Sequence, residues 1–125
     1  MRLERLAELG RGLAALFRER FADLEAIWFG HLGDGNVHLN VPRPATWPEA
    51  AWLERSAEVE EAVVDLVLAL DGSLSAEHGI GLAKRHLLPR FPEGAALTEL
   101  RALKRTFDPD GILNPGKVLP PESSP

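Results

Sequence analysis

Apolar positions recur at helical spacing over residues 2–20, where Leu3, Leu6, Leu13, Leu16 and Phe17 share one face and Arg and Glu take the other. This predicts an amphipathic helix, weakened in its middle by Gly10 and Gly12 because a glycine costs a helix about 1 kcal/mol relative to alanine. The period then changes. Ile27-Trp28-Phe29 is a short β-prone run that leads into a glycine-rich turn. Thr46-Trp47-Pro48-Glu49 reads as a helix start, with Thr46 as N-cap, Pro48 in the first turn and Glu49 completing a capping box. The helix that follows carries Trp52, Val59, Val63, Leu66, Val67 and Leu70 on one side, and Asp71-Gly72 stops it.

Residues 73–77 predict a short strand or an extended link, and Gly79-Ile80-Gly81 leads into a short helix ending near Pro89. A last helix over about 94–107 aligns Leu97, Leu100, Leu103 and Phe107 before Asp108-Pro109-Asp110-Gly111 turns the chain. The order helix, hairpin, helix, strand, helices predicts an α+β fold, an antiparallel sheet with helices packed on one face. Residues 1–119 are expected to form one domain, with 120–125 a disordered tail.

Composition narrows the function classes. A chain of 125 residues is the size of one domain but short for a complete cofactor enzyme. Its net charge of −5 argues against a nucleic-acid partner, which needs a basic face to neutralise phosphates. With no cysteine, disulfides, thiolate metal sites and a cysteine nucleophile are all excluded, so a metal would be held by histidine, carboxylate or water. No apolar run reaches the roughly 18 residues of a membrane span, and the amphipathic start carries acidic residues, unlike a secretory signal. A cytoplasmic protein is expected, peripheral to a membrane only through a partner. There is no internal repeat, phosphate-binding loop, dinucleotide fingerprint or zinc-protease motif.

The candidate chemistry lies in Gly30-His31-Leu32-Gly33-Asp34-Gly35-Asn36-Val37-His38-Leu39-Asn40. Asp-Gly between two apolar runs is a two-residue hairpin signal. A turn at Asp34-Gly35 sets His31 opposite His38 and, one step out on the same face, Phe29 opposite Asn40. Opposed Cβ atoms lie roughly 4.5–5.5 Å apart, close enough for two imidazoles to converge on one ion. Histidines on strands are more often plain half-buried side chains. A second cluster, Ser75-Ala76-Glu77-His78-Gly79-Ile80-Gly81, sets a carboxylate beside an imidazole with two glycines that let a ligand approach. Glu77 would complete a two-histidine, one-carboxylate set with His31 and His38, suited to Zn²⁺, Mn²⁺ or Fe²⁺. Read alone, Glu77 is a surface acid and His78 its solvated neighbour. His86, in Lys84-Arg85-His86, fits a structural role at a helix C-terminus.

Three segments together resemble a known family. Residues 30–38 are similar to the GHxGDGNxH signature of the C-terminal domain of FAD-linked oxidases, and residues 75–81 to its S-x-E-H-G-x-G signature. Lys104, Asp108-Pro109 and Leu113-Asn114-Pro115-Gly116-Lys117 resemble its closing K-x-x-x-D-P-x-x-x-L-N-P-G-K. The family includes glycolate oxidase large subunits, D-lactate dehydrogenases and D-2-hydroxyglutarate dehydrogenases, and its C-terminal domain is ferredoxin-like, here in part only. Nothing in the chain resembles the family's FAD-binding domain or the upstream half of its substrate domain.

The resemblance implies that His31, His38 and Glu77 hold a divalent metal, that His78 is the base on the substrate hydroxyl, and that Asn40 contacts substrate. Asn114 and Lys117 would lie towards the flavin. The implied reaction passes hydride from C2 of a small 2-hydroxy acid to an FAD held by a further domain or subunit. Two alternatives use the same residues or fold: a self-sufficient metalloenzyme, and a non-catalytic interaction remnant that self-associates through an apolar patch.

Overall fold

Leu9, Leu13 and Phe17 recur every four residues, and helix α1 (Leu6–Arg20) buries all three along one stripe. The chain enters α1 through a 3₁₀ turn at Leu3–Arg5, so the helix expected from residue 2 begins at Leu6, and Leu3 stays exposed. These features come from a computed structural model that describes residues 2–75, 77–90, 96–117 and 119–120. The chain forms two compact units, Met1–Gly72 and Ser73–Pro125. Among the described residues no helix is long and apolar enough to cross a membrane.

In the first unit, helix α2 (Glu49–Ala69) buries Val59, Ala62 and Val64. Phe17, Phe21 and Leu24 join Val59 and Ala62 in one core cluster, each large side chain contributing about 1.5–3 kcal/mol by leaving water. The Phe17 and Phe21 rings sit 5.6 Å apart in a tilted pair. Gly12, a weak point by helix propensity, is a close approach: a Cβ there would come within 2.8 Å of Leu66 in α2. Arg55 reaches from α2 to the end of α1, donating to the Arg20 carbonyl at 2.8 Å and to Asp23 at 3.1 Å, with its guanidinium 4.6 Å from the Phe21 ring centre. It thus satisfies a helix-terminal carbonyl that has no partner within its own helix.

The start of α2 departs from expectation. Thr46 is not its N-cap; the cap is Pro48, in extended conformation, and Glu49 is the first helical residue. The reason is steric. A residue before proline is pushed out of the helical region, so no helix can start ahead of Trp47-Pro48. Residues 44–47 instead close a turn, with the Trp47 N–H donating to the Pro44 carbonyl at 3.0 Å. The other end matches: Asp71 takes a positive φ of 51° and the Gly72 N–H returns to the Val67 carbonyl at 2.9 Å.

Strands β1 (Ile27–Phe29) and β2 (His38–Asn40) form a two-stranded antiparallel sheet. Leu39 and Val41 pack against the helical core, and the Trp28 ring lies over Gly10 of α1, where a Cβ would meet it at 3.2 Å. The helices therefore cover the face that carries Trp28 and Leu39. This is the expected α+β arrangement with one helical layer.

In the second unit, residues 73–75 and 77 form no strand, unlike the first of the two forms expected there, and the chain bends at Leu74 and Glu77. Helix α3 (Gly81–Lys84) is a single turn, a 3₁₀ turn follows at Leu88–Arg90, and helix α4 spans Leu97–Phe107. The expected start of α4 at 94 falls outside the described residues. Leu74, Leu87, Leu88 and Leu97 are buried. The rest of the apolar stripe of α4 is not: Leu103 is 54% and Phe107 79% exposed.

Asp108 organises the turn after α4. Its buried carboxylate accepts from the N–H groups of Ile112 at 2.9 Å and Leu113 at 3.0 Å and pairs with the Lys104 ammonium, which also donates to the Leu113 carbonyl at 2.8 Å. Pro120, expected at the head of a disordered tail, is buried and its carbonyl accepts from Arg101 at 3.3 Å, while residues 121–125 lie outside the described residues. The Lys104 hydrogen bond, reinforced by the two backbone donors, holds the Asp108 carboxyl below its ordinary value of 3.8 against the opposing effect of burial. A folded-state pKa below the unfolded one contributes stability that is present above the ordinary value and lost as pH falls through the lowered one. Thermal unfolding followed by circular dichroism should show this contribution disappearing in acid below about pH 4. Asp108→Asn should remove it, lowering the neutral-pH midpoint by more than the loss of any exposed carboxylate does and flattening the acid dependence.

Candidate functional site

The loop that joins the strands replaces the expected two-residue hairpin. A two-residue turn of that type needs positive φ at both Asp34 and Gly35, and only Gly35, at 72°, adopts it. Asp34 instead ends a 3₁₀ turn, Leu32–Asp34. The His31 carbonyl accepts from the N–H groups of Asp34 at 3.0 Å and Asn36 at 3.2 Å, and the Gly35 N–H donates to Leu32 at 3.1 Å. Keeping aspartate in the right-handed region while glycine alone takes the left-handed position lowers the backbone strain. The closed turn withdraws His31 from the ladder.

Pairing therefore slides by two residues: Phe29 faces His38, Trp28 faces Leu39 and Ile27 faces Asn40. The expected His31–His38 and Phe29–Asn40 pairs are not formed. Because the slip is even, every side chain keeps its expected face. Ile27, Phe29, His38 and Asn40 share the face opposite Trp28 and Leu39, turned away from α1 and α2. His38 is half-buried, with its ring stacked on that of Phe29 (centres 5.4 Å apart, 27° between planes), and Asn40 is exposed at the end of β2. His31 is exposed at the entry to the 3₁₀ turn.

Gly30 makes this loop possible. Its φ is 155°, and a Cβ built on it would overlap the Asn36 carbonyl oxygen, which is backbone and cannot turn aside. The local pattern places the turn at Asp34-Gly35 and gives no structural role to Gly30 or to Phe29 as a stacking partner. The signal for both lay in the aromatic-glycine pair that ends β1.

In the second unit, Glu77 Oε1 lies 3.3 Å from His78 Nε2, with the carboxylate partly covered and the imidazole 75% exposed. A Cβ at Gly79 or Gly81 would meet open space among the described residues, leaving room beside the imidazole. Asn114 takes a positive φ of 48° in the closing turn and its carbonyl accepts the Lys117 N–H at 3.1 Å; the Lys117 side chain is exposed. Each unit thus groups part of the predicted set: His31, His38 and Asn40 on the sheet and its loop, Glu77 with His78, and Asn114 with Lys117.

As chemistry, the donor set fits a divalent cation, since imidazole nitrogens and a carboxylate oxygen are the donors such ions take in three-residue sites. The Glu77 carboxylate has two oxygens, so Oε1 orienting His78 does not bar Oε2 from a ligand role.

Comparison with known proteins agrees with these motifs. Residues 1–118 match the family model described as FAD linked oxidases, C-terminal domain. Over 105 residues the chain is 41% identical to a D-2-hydroxyglutarate dehydrogenase of Stutzerimonas stutzeri, covering 84% of this chain and 23% of that protein. It is 43% identical over 94 residues to the mitochondrial D-2-hydroxyglutarate dehydrogenase of Bos taurus (75% of this chain, 16% of that one). A D-lactate dehydrogenase of Archaeoglobus fulgidus is 41% identical over 97 residues, 77% of this chain and 20% of its own length. The chain spans no more than about a quarter of the curated relatives named here.

Proposed function

Since the chain belongs to the family of FAD-linked oxidase C-terminal domains, we propose that it is the substrate- and metal-binding portion of an FAD-dependent dehydrogenase acting on a small D-2-hydroxy acid. The observation that carries this reading is the sheet register, which puts His38 and Asn40 together on the face turned away from α1 and α2. Two of the relatives are named for D-2-hydroxyglutarate and one for D-lactate, and their common element is a hydroxyl on the carbon next to a carboxylate.

His31, His38 and Glu77 would hold the metal. A divalent ion there would supply Lewis-acid stabilisation of negative charge on the substrate oxygen, and a flavin held by an FAD-binding partner domain would supply the oxidant. The chain's own residues bind, orient and move the proton. Asn40 offers an amide donor and an amide acceptor to the substrate from the same face as His38. His78 takes the hydroxyl proton. With a hydrogen on Nε2 directed at Glu77, Nδ1 keeps the lone pair that accepts it, and the carboxylate then stabilises the imidazolium. Asn114 and Lys117 provide a polar, cationic edge to the flavin side.

A partner domain suits the second unit on its own account. Leu103, Phe107, Ile112 and Leu113 are all more than half exposed, a large apolar content for a surface facing only water. The same exposure serves the alternative of an interaction remnant, and the experiment below separates the two.

Metal-free chain titrated calorimetrically with Zn²⁺, Mn²⁺ or Fe²⁺ should bind one equivalent of at least one of them. Alanine at His31, His38 or Glu77 should each weaken binding by more than the roughly 10–100-fold that losing an outer-sphere partner costs. With an FAD-binding domain supplied, D-2-hydroxyglutarate or D-lactate should bleach the oxidised flavin. A chain that binds no metal, and bleaches no flavin with either acid, leaves only the interaction remnant.

A further inference from the structure

An exposed phenylalanine on a three-residue strand needs a reason. Phe29 is 53% exposed and adds little to the core of its unit. Its ring contact is with His38, the residue directly across the ladder. The two rings are nearly parallel, 27° between planes at a centre separation of 5.4 Å. We propose that Phe29 is a positioning residue for His38, holding the imidazole in one orientation before any ligand arrives.

The geometry favours that role over simple packing. The final torsion of a histidine side chain is broad and roughly two-fold, so a half-exposed imidazole samples several orientations unless something restrains it. A stacked ring restrains that torsion by occupying one face of the imidazole. Bonds to an ion or a proton donor lie in the plane of the imidazole, at its nitrogens, and the stack leaves that plane open. Phe29 therefore removes orientational freedom without competing for the atoms that would bind. The pairing that sets it there is the two-residue slip of register, which gives His38 an aromatic neighbour in place of a second histidine.

This inference rests on the metal reading only for its consequence, and the test has one arm for each. In the metal-free chain, ring-current shielding of the His38 Cδ2 and Cε1 protons and a single side-chain orientation are expected by NMR. Phe29→Ile keeps a strand-favouring residue and should lose both signatures while retaining the wild-type unfolding midpoint within experimental scatter; Phe29→Leu serves as a second stack-free variant. Phe29→Trp should keep both. With Zn²⁺ as probe, the stack-free variants should bind on the order of fivefold more weakly and Phe29→Trp close to wild type, the fold-change expected of one aromatic stack. A His38 ring that stays equally ordered in the stack-free variants overturns the proposal, and so does unchanged Zn²⁺ affinity once that order is lost. If wild-type chain binds no Zn²⁺, Mn²⁺ or Fe²⁺, the metal reading fails, while the NMR arm still decides whether Phe29 orients His38.

Discussion

Gly30→Ala is expected to destabilise the first unit by about 3 kcal/mol, the top of the range for a backbone held where only glycine is at ease. Two costs add. The φ of 155° is disfavoured for any residue with a Cβ, and the added methyl would overlap the Asn36 carbonyl oxygen. That oxygen belongs to the loop closed by the His31, Leu32, Asp34, Gly35 and Asn36 hydrogen bonds, so relief requires opening the loop that carries His31 into His38. Urea unfolding monitored by tryptophan fluorescence would measure the loss. Gly33→Ala is the matched control: among the described residues nothing lies within 4 Å of a Cβ there, its φ is not positive, and it should stay within about 0.5 kcal/mol of wild type. Equal midpoints for the two variants would mean that the loop, and the register built on it, is not the one described.

The second large effect is chemical. If the proposed dehydrogenase reading holds, His78→Gln in the chain completed with an FAD-binding domain should slow flavin reduction by about 10²–10⁴-fold, the usual contribution of a positioned general base. Glutamine keeps a polar side chain of similar reach but cannot accept the hydroxyl proton, so metal affinity should stay near wild type while the rate constant falls. The fall should be accompanied by loss of the limb of the pH–rate profile that reports the base. Glu77→Gln should behave differently, because it weakens both the orientation of His78 and the proposed donor set; metal affinity and rate should then drop together. A His78→Gln enzyme that reduces flavin at wild-type speed would remove the base from His78 and leave the imidazole as a surface neighbour of Glu77.

Much of this molecule was legible from local pattern alone. The recurrence of Leu3, Leu6, Leu13, Leu16 and Phe17 and the run Ile27-Trp28-Phe29 announce α1 and β1 because periodicity reflects which side chains one face can bury, although the buried stripe runs through Leu9, Leu13 and Phe17. The family signatures were legible for the same kind of reason: glycine at Gly30 and Gly35 and aspartate at Asp108 meet backbone demands that no other residue meets as well. Where local cues competed, the pattern misled. Thr46 and Glu49 have the spacing of a capping box, but Pro48 forbids the geometry one residue earlier. Asp34-Gly35 has the composition of a two-residue turn, yet a 3₁₀ turn satisfies the same backbone groups without forcing aspartate to positive φ.

What the chain's own residue order determined was the inventory of elements and the face on which each strand residue lies, since both follow from spacing along one backbone; the candidate groups came from its resemblance to the family signatures. What only the folded molecule decided was partnership. A two-residue change of register leaves every side chain on its face and so leaves no mark on the hydrophobic alternation, yet it exchanges the neighbour of His38 from His31 to Phe29. That choice is made by the hydrogen-bond demands of the loop and by one carbonyl against one glycine, interactions between residues that the pattern treats as independent.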